Sequence, residues 1–531
     1  MSDQSFELHA RLPKILTIAV LSLVLGILTD YFFYGQDLGL SFPVFIWLVT
    51  AVIFGLSFSW KTKISKSTYW LVPPLLFFSG MVAVRSSEIV TTLNVWTTYL
   101  LMISFVYSLT GGKIIDYVVS KYITKTLSAS LDIIHHAANF LTDFFQLRTL
   151  IKGHKTLSQV IKGIVMAIPV LLIFLVLFAS ADIVFNKYLM DIFKVNISGE
   201  TFFRVVIVMI ASSLLSGLFY YATHHKEVPE LKETTATEKK TNGIVEISIF
   251  LGLINALFLT FITIQFTYFF GGQNNISVEG FSYAEYAHRG FFELVAVAIL
   301  SFIIVIISQK SVEKKDNKHL LVFKILSTML TLEVVVIMVS AFQRLMIYEN
   351  TFGFTELRLY VQLFIIWLGI IFFLLLYKIV ADKKENIYAF TAFVGSLLFL
   401  VFLNGFNPDA FIAQKNIENL QTTGKLDVTY LSSLSDDAVP ELVKALDSKN
   451  QILCTDEYEV SMQPCTTLMA IKLYKKTIDG MNQNWQSWNL SRANAQAALA
   501  SKSNQIEALG KNAMTNENAG QRIDYENDFV Q

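Results

Sequence analysis

Long apolar runs recur along the chain, separated by short polar segments, from near the N-terminus to about residue 404. An α-helix rises about 1.5 Å per residue, so roughly 20 apolar residues cross a hydrocarbon core of ~30 Å. The pattern therefore predicts an all-α, polytopic bundle of about eleven membrane-spanning helices. Their expected limits are 13–34, 40–59, 69–84, 90–109, 163–183, 201–222, 245–270, 290–308, 320–344, 359–378 and 387–404.

Two polar segments interrupt these runs and divide the membrane region. The segment 113–162 is too polar to span, yet its apolar residues recur at near-helical spacing between lysines and aspartates. This predicts an amphipathic helical segment that either lies on the membrane surface or packs on the ends of the spans. The segment 224–243, rich in Glu, Lys and Thr, is typical of a flexible linker. The expected membrane units are residues 1–112 and 163–405.

The chain changes character after residue 405, where polar residues dominate. Asp427 and the Ser435 region stand before short apolar periods, as helix N-caps do. The Ala-rich stretch 491–509 also favours a helix. We expect a small α-helical domain over 406–511 and a disordered tail over 512–531.

Composition and charge placement support this picture and add an orientation. The chain is 53% hydrophobic and 16% charged, whereas soluble proteins carry roughly a quarter charged residues. Lys and Arg concentrate in alternate loops, and the loop after the first span has none. Because cytoplasmic loops carry the excess of basic residues, we expect a cytoplasmic N-terminus and an extracytoplasmic C-terminal domain. The formal net charge of zero points to no nucleic-acid partner.

The only two cysteines, Cys454 and Cys465, both fall in the C-terminal domain. An extracytoplasmic compartment is oxidising, so the placement predicts a disulfide between them. The alternative is a pair of unlinked buried thiols.

Polar side chains concentrate at the edges of the apolar runs in the second membrane unit. Glu285, Arg289 and Glu293 are spaced by four and share one helix face. Glu333 falls near the middle of an apolar run, where a charge costs ~2.5–3.5 kcal/mol on insertion scales. We predict an outward-facing polar cluster of Glu285, Arg289, Glu293, Glu333, Arg344, Tyr348, Glu349, Glu356 and Arg358.

This cluster has two interpretations. It is either a lattice of Arg and Glu that locks helices together, or an outward-open pocket for a small polar ligand or a proton. No histidine has the His-x-x-x-His or His-x-x-Glu-His spacing that puts two metal ligands on one helix face, and no phosphate loop, nucleophile elbow or dinucleotide motif is present. The sequence thus predicts no metal, no cofactor and no catalytic residue. Whether the protein is an enzyme stays undecided, with the balance against it.

Several strings resemble one family. They are Leu177–Phe185, Phe281–Ala298, Tyr348–Tyr360 and Asn407–Ala413, with weaker similarity around Leu426–Leu431, Asp437–Pro440 and Trp485–Arg492. They resemble a bacterial family of polytopic membrane proteins catalogued as a domain of unknown function, number forty-one seventy-three, related to number forty-one fifty-three. The resemblance implies a multi-pass protein of the bacterial cytoplasmic membrane. It transfers no activity and no catalytic residue.

These observations favour a non-enzymatic module for binding, sensing or helix locking at the cell envelope. Its partners would be the lipid bilayer and, on the outer face, a small polar ligand or an envelope protein. The alternative is a proton-coupled transporter that uses Glu293 or Glu333, although residues 13–222 and 245–404 show no convincing repeat of each other. A membrane enzyme acting on a lipid-linked substrate is less favoured, because no nucleophile or metal motif supports it.

Overall fold

The computed structural model describes most of the membrane region and parts of the C-terminal domain. The described residues are 3–62, 64, 66–109, 111–112, 114–147, 199–224, 244–270, 291–311, 317–423, 426–446, 453–454, 463–464, 466–467, 469–470, 472–473 and 484–508. Within them the regular structure is α-helical, apart from two short 3₁₀ helices (Ile114–Asp116 and Trp485–Ser487) and one sheet of two short strands.

The N-terminal helices form one bundle around a shared apolar core. They are α1 (Asp3–Phe33), α2 (Ser41–Ser59), α3 (Lys66–Tyr69), α4 (Val72–Met81), α5 (Glu88–Leu109), α6 (Val119–Leu147) and α7 (Gly199–His224). Ile18, Ile53, Leu75, Phe105 and Phe219 are fully buried in this core. Since these residues come from five different helices, burial of their side chains fixes how the helices pack.

The amphipathic segment contains α6, which packs against α7. Ile133, Ala137 and Phe140 on one face of α6 are buried. Gly217 of α7 lies so close to this face that an added Cβ would meet the Ile133 carbonyl oxygen. Only glycine permits that approach of two helix backbones. Leu131 on another face of α6 remains 66% exposed.

In the structure the second membrane unit comprises α8 (Ile244–Phe270), α9 (Phe291–Ser311), α10 (Asn317–Phe352), α11 (Glu356–Val380) and α12 (Glu385–Phe406). Helix α7 lies within the predicted unit 163–405 but packs in the N-terminal bundle. Helices α8 and α10 run parallel. Asn255 Nδ2 donates to the Leu326 carbonyl at 3.2 Å, and Ser340 Oγ donates to Gln265 Oε1 at 2.7 Å. Two bonds at successive levels leave these helices little freedom to slide.

Eight of the described helices are long and apolar enough to cross a membrane, so the protein is a multi-pass integral membrane protein in contact with lipid. The shorter apolar helices Val72–Met81 and Glu293–Gln309 correspond to the predicted spans 69–84 and 290–308. The predicted span 163–183 lies outside the described residues. The count of eleven therefore remains a prediction.

The third predicted span is shortened by its prolines. Pro73 and Pro74 occupy the first turn of α4, where backbone amides have no intrahelical partner and proline costs little. Helix α3 ends at Tyr69, before them. The sequence therefore starts a new helix at Val72 instead of continuing one from residue 69.

The C-terminal elements are α13 (Pro408–Thr423), α14 (Val428–Ser433), α15 (Val439–Ala445), β1 (Leu453–Cys454), β2 (Gln463–Pro464) and α16 (Leu490–Ser501). Their core continues into the membrane unit, since Leu359 and Leu403 belong to the same buried cluster as Ile412, Leu431 and Leu442. Shared burial joins the C-terminal helices to the ends of α11 and α12.

One helix cap in the C-terminal region agrees with the sequence expectation, and two details differ from it. Asp427 caps α14 as predicted, with its side chain accepting a hydrogen bond from the Tyr430 amide at 2.8 Å. Helix α15, however, begins at Val439, and Ser435 instead accepts from the Asp437 amide within the preceding turn. The short antiparallel pair, in which Cys454 faces Gln463, was not predicted.

Candidate functional site

The predicted polar cluster divides into separate groups. Glu285 and Arg289 lie outside the described residues. Glu293 is exposed in the first turn of α9, and Glu333 is buried in the middle of α10. Sixteen residues of continuous helix separate Glu333 from Glu349, which is about 24 Å along the axis. The prediction of one shared cluster therefore does not extend to Glu333.

The turn between α10 and α11 brings Tyr348 and Arg358 together. Gly353 makes this turn in the left-handed region, with φ at 80°, which favours glycine. The Arg358 guanidinium lies 4.3 Å from the centre of the Tyr348 ring, and its Nη1 donates to the Gly353 carbonyl at 2.7 Å. Phe352 packs its ring 4.8 Å from that of Tyr348. Arg358 thus holds the turn closed.

Glu349 and Arg344 are buried near this turn, with 1% and 9% of their surface exposed. Gln362 Nε2 of α11 donates to Glu349 Oε2, while Glu349 Oε1 has no hydrogen bond within the described residues. The amide–carboxylate bond links α10 to α11 inside an apolar environment. This contact fits the helix-locking interpretation.

The same turn is held from the other side by the C-terminal helices. The Glu356 amide donates to Tyr430 Oη at 2.7 Å. Asn416 bridges Phe354 in both directions, accepting from its amide and donating to its carbonyl, each at 2.8 Å. Burial raises the pKa of Tyr430 to about 12, so the phenol stays protonated at neutral pH. The backbone of the turn is therefore covered by α13 and α14.

An ion pair that the sequence did not reveal joins the loop before α5 to the C-terminal domain. Arg85 Nη1 lies 3.0 Å from Asp437 Oδ1, and the Asp437 side chain is 1% exposed. Asp437 Oδ2 also accepts from the amides of Ser86 at 2.8 Å and Ser87 at 3.0 Å. Ser86 Oγ is a fourth donor, at 3.2 Å from Oδ2, so this buried carboxylate is well compensated for its lost hydration.

Two asparagines extend this network into the membrane unit. Arg85 Nε donates to the Asn404 carbonyl at 2.7 Å at the end of α12. The side chains of Asn404 and Asn94 exchange hydrogen bonds of 2.8 and 2.9 Å, and both residues are buried. The network thereby connects α5, α12 and the C-terminal domain.

A second attachment comes from the segment before α16. Asn489 is buried and donates to the carbonyls of Val82 at 3.0 Å and Arg85 at 2.9 Å. The Leu490 amide donates to the Ala83 carbonyl at 2.8 Å, and the Leu40 amide donates to the Trp488 carbonyl at 2.8 Å. The loops after α1 and before α5 are thus both held by residues 484–490.

Asp409 at the start of α13 is fully buried beside this network. Its Oδ2 accepts from the Ser435 amide at 3.3 Å. Burial raises the pKa of Asp409, and the negative charge of Asp437 raises it further, against the hydrogen bonding of Ser435. The surroundings of Asp409 therefore disfavour its charged form.

The described residues contain no candidate metal site. Within the described residues no three side chains of His, Cys, Asp or Glu lie close enough to hold a metal ion. Cys454 lies on β1, whereas Cys465 falls outside the described residues, so the predicted disulfide stays a prediction. The polar groups at the junction are mostly bonded to one another, as in a structural network.

Sequence reasoning missed Arg85, Asp437 and Asn489 as a set. Arg85 stood out as one basic residue in a predicted outer loop, and Asp437 as one of two acids before a helix. Because 352 positions separate them, no periodicity relates the two. The signal that could have paired them is the placement of both on the same predicted side of the membrane.

The comparisons with known proteins give one match. The family model described as "Domain of unknown function (DUF4153)" matches residues 72–445, which include Arg85, Asn404 and Asp437. No curated protein and no solved structure gives a significant match. The matching family is therefore number forty-one fifty-three, and not the related number forty-one seventy-three that the sequence strings resemble. With more than half of its length matched, the chain belongs to the DUF4153 family of unknown function.

Proposed function

We propose that this protein is a non-enzymatic module of the bacterial cell envelope. Its C-terminal helical domain would be held on the outer face of the membrane bundle and would serve there in binding or sensing. The observation that carries the proposal is the Arg85–Asp437 network, which fixes that domain to the membrane helices. Because of this attachment, a conformational change in the domain would be transmitted to α5 and α12.

The contacts at the two ends of the bundle support the predicted orientation. The loops 34–40, 82–87 and 353–355 all bond to the C-terminal domain, so they share one end. At the other end, Asn386 Nδ2 after the α11–α12 turn donates to the Ile115 carbonyl at 3.2 Å. Lys378, Lys383 and Lys384 lie at this end. The positive-inside rule then supports a cytoplasmic N-terminus and an outer C-terminal domain.

Labelling single cysteines tests this orientation directly. In a background with Cys454→Ser and Cys465→Ser, we would place cysteine at Lys415, whose side chain is 38% exposed, or at the exposed Lys61. A membrane-impermeant maleimide added to intact spheroplasts should label Lys415→Cys at once, and Lys61→Cys only after permeabilisation. The reverse pattern, or equal labelling of both, would refute the outward-facing domain.

Complementation then tests the role itself. We expect a deletion strain to show altered sensitivity to envelope stress. Asp437→Ala, which releases the domain, should fail to restore resistance. Lys444→Ala removes only an exposed ion pair with Glu441 and should restore it. Full rescue by Asp437→Ala at wild-type expression would show that attachment of the domain is not needed.

The polar turn between α10 and α11 supports helix locking over an open pocket. Arg358, Tyr348 and Glu349 each have a partner on the adjoining turn or helix. We therefore place ligand binding, if it occurs on this face, on the C-terminal domain and not between these helices.

One observation favours a second candidate, the proton-coupled transporter. Both carboxylate oxygens of Glu333 are buried and have no hydrogen bond within the described residues. A carboxyl group so placed in a span is typical of proton pathways. Glu293 is exposed and is the weaker candidate. In proteoliposomes, the Glu333→Gln variant should lose proton-driven uptake. The control variant Glu441→Gln should keep the wild-type uptake. Uptake unchanged by Glu333→Gln would remove this alternative.

A further inference from the structure

Two adjoining cavities lie in the second membrane unit, away from the C-terminal domain. The larger, ≈ 490 Å³, is an open groove between α8 and α10. The smaller, ≈ 210 Å³, lies where the ends of α9 and α11 meet the starts of α10 and α12. Lys324 lines both cavities, so they form one continuous site.

The groove is lined mainly by apolar side chains, with Lys324, Thr328 and Glu333 as its polar members. The apolar members include Leu259 and Ile262 from α8 with Leu321, Ile325, Leu332 and Val336 from α10. The positions from Leu321 to Val336 extend about 22 Å along the helix. One leaflet contributes about half of the ~30 Å hydrocarbon core, so the groove is long enough to hold one acyl chain within a leaflet.

The smaller cavity has a mixed lining of polar and apolar side chains, and its charged residues carry an excess of positive charge. Lys324, Lys378, Lys383 and Lys384 line it, with Asp382 and Glu385 as the acidic members. Lys378 Nζ donates to Gln309 Oε1 at 2.6 Å and lies 5.3 Å from the centre of the Tyr388 ring. Lys324 is half-buried and makes no ion pair within the described part of the chain. Its charge is left facing the point where the two cavities join.

We propose that the continuous site binds one anionic phospholipid. The phosphate would lie among the lysines, and one acyl chain would follow the groove past Leu332. Charge complementarity selects the occupant, because a free phosphate would make no use of the groove and a zwitterionic lipid would not match the net positive charge. The lysines lie about 33 Å along α11 from its start at the C-terminal domain, from Glu356 to Lys378. With the predicted orientation, this is the anionic cytoplasmic leaflet.

Native mass spectrometry of the full chain in detergent tests the site, with phosphatidylglycerol and phosphatidylcholine as probes. We expect one tightly bound phosphatidylglycerol. Its affinity should fall about fivefold in Lys324→Gln and again in Lys383→Gln, since each basic residue contributes comparably to anionic-lipid binding. Lys61→Gln is the matched control, an exposed lysine outside both cavities, and should bind as the wild type does.

A separate variant tests whether the groove holds the acyl chain. Thr328→Phe places a ring in the groove and should weaken phosphatidylglycerol binding without removing a charge. Inorganic phosphate should compete poorly. Equal binding of the two lipids, no loss in Lys324→Gln, or strong phosphate binding that Thr328→Phe leaves unchanged would each overturn the proposal. The lysine variants probe the end of the bundle away from Asp437, so this result is independent of the proposed envelope role.

Discussion

Arg85 Nη1 lies 3.0 Å from Asp437 Oδ1 and joins a loop of the N-terminal bundle to a residue 352 positions later. The pair closes a long stretch of chain that includes the whole second membrane unit. It also explains why the C-terminal helices share a core with α11 and α12 instead of forming a separate unit. Removing one partner of a charge pair this well buried leaves the other charge uncompensated, which lowers the free energy of unfolding strongly.

Asp437→Ala should therefore destabilise the protein strongly. It leaves Arg85 without its carboxylate and removes the acceptor of the Ser86 and Ser87 amides. We expect a loss of about 3–5 kcal/mol in the free energy of unfolding, measured by thermal or denaturant unfolding in detergent.

Lys444→Ala is the matched control, because the ion pair of Lys444 with Glu441 lies at the surface and the Lys444 side chain is 70% exposed. Exposed pairs contribute about 0–1 kcal/mol. If both variants lose the same stability, the Arg85–Asp437 pair does not hold the domain in place.

Gln362→Leu tests the link between α10 and α11. Gln362 donates to the buried Glu349, and leucine leaves that carboxylate without its described donor. We expect the free energy of unfolding to fall by about 1–3 kcal/mol, the usual cost of an unsatisfied buried polar group. Gln414→Leu removes a bond of similar chemistry to the exposed Glu418 and should change stability by less than about 0.5 kcal/mol. A Gln362→Leu protein as stable as the wild type would contradict helix locking here.

Gly39→Ala should disturb the attachment of the segment before α16. A Cβ at Gly39 would lie 2.5 Å from the Trp488 carbonyl oxygen and 2.5 Å from the Ser487 carbonyl carbon. Both atoms belong to the backbone and cannot move aside cheaply, so a loss of about 1–3 kcal/mol is expected. Faster limited proteolysis of residues 484–508 would report it.

Gly55→Ala serves as the control, since an added Cβ there meets nothing within 4 Å. It should keep the wild-type digestion pattern. Identical digestion of the two variants would mean that residues 484–490 are not clamped against the loop after α1.

Asp409 gives a dependence on pH with a definite sign. Its folded-state pKa is raised by burial above the unfolded value of ~3.9, so the folded protein binds this proton more tightly. The associated stability is complete below the unfolded pKa and is lost as the pH rises through the folded pKa. Asp409→Asn cannot ionise and should gain stability relative to the wild type as the pH rises above ~4.

The measurement is the difference in melting temperature between Asp409→Asn and the wild type across this range. The two proteins differ only at residue 409, so a pH-dependent difference between them reports on the Asp409 carboxyl. A difference that stays constant with pH would show that Asp409 is not the group responsible.

The predicted disulfide can be checked by thiol counting. Under denaturing, non-reducing conditions we expect Cys454 and Cys465 to resist alkylation until a reductant is added. Closing so short a loop should stabilise the domain by about 2–3 kcal/mol, so Cys454→Ser should lower the melting temperature. Two alkylatable thiols in freshly isolated membranes would refute the disulfide.

The sequence alone determined the local features of this protein. Apolar length predicts a helix wherever a run approaches 20 residues, because a backbone in lipid must satisfy its own hydrogen bonds. Asp427 caps α14 as its local pattern predicts, since the cap reaches only three residues along the chain. The polar character of the α10–α11 turn was equally evident from its residues.

Only the tertiary structure decided which polar groups meet. Glu333 and Glu349 share a helix and were predicted to share a cluster, yet the rigid rise of α10 keeps them about 24 Å apart. Arg85 and Asp437 share no local pattern, yet packing of apolar faces brings them together. A side chain's neighbours along a helix follow from its spacing, whereas its partners across the fold depend on how buried surfaces fit.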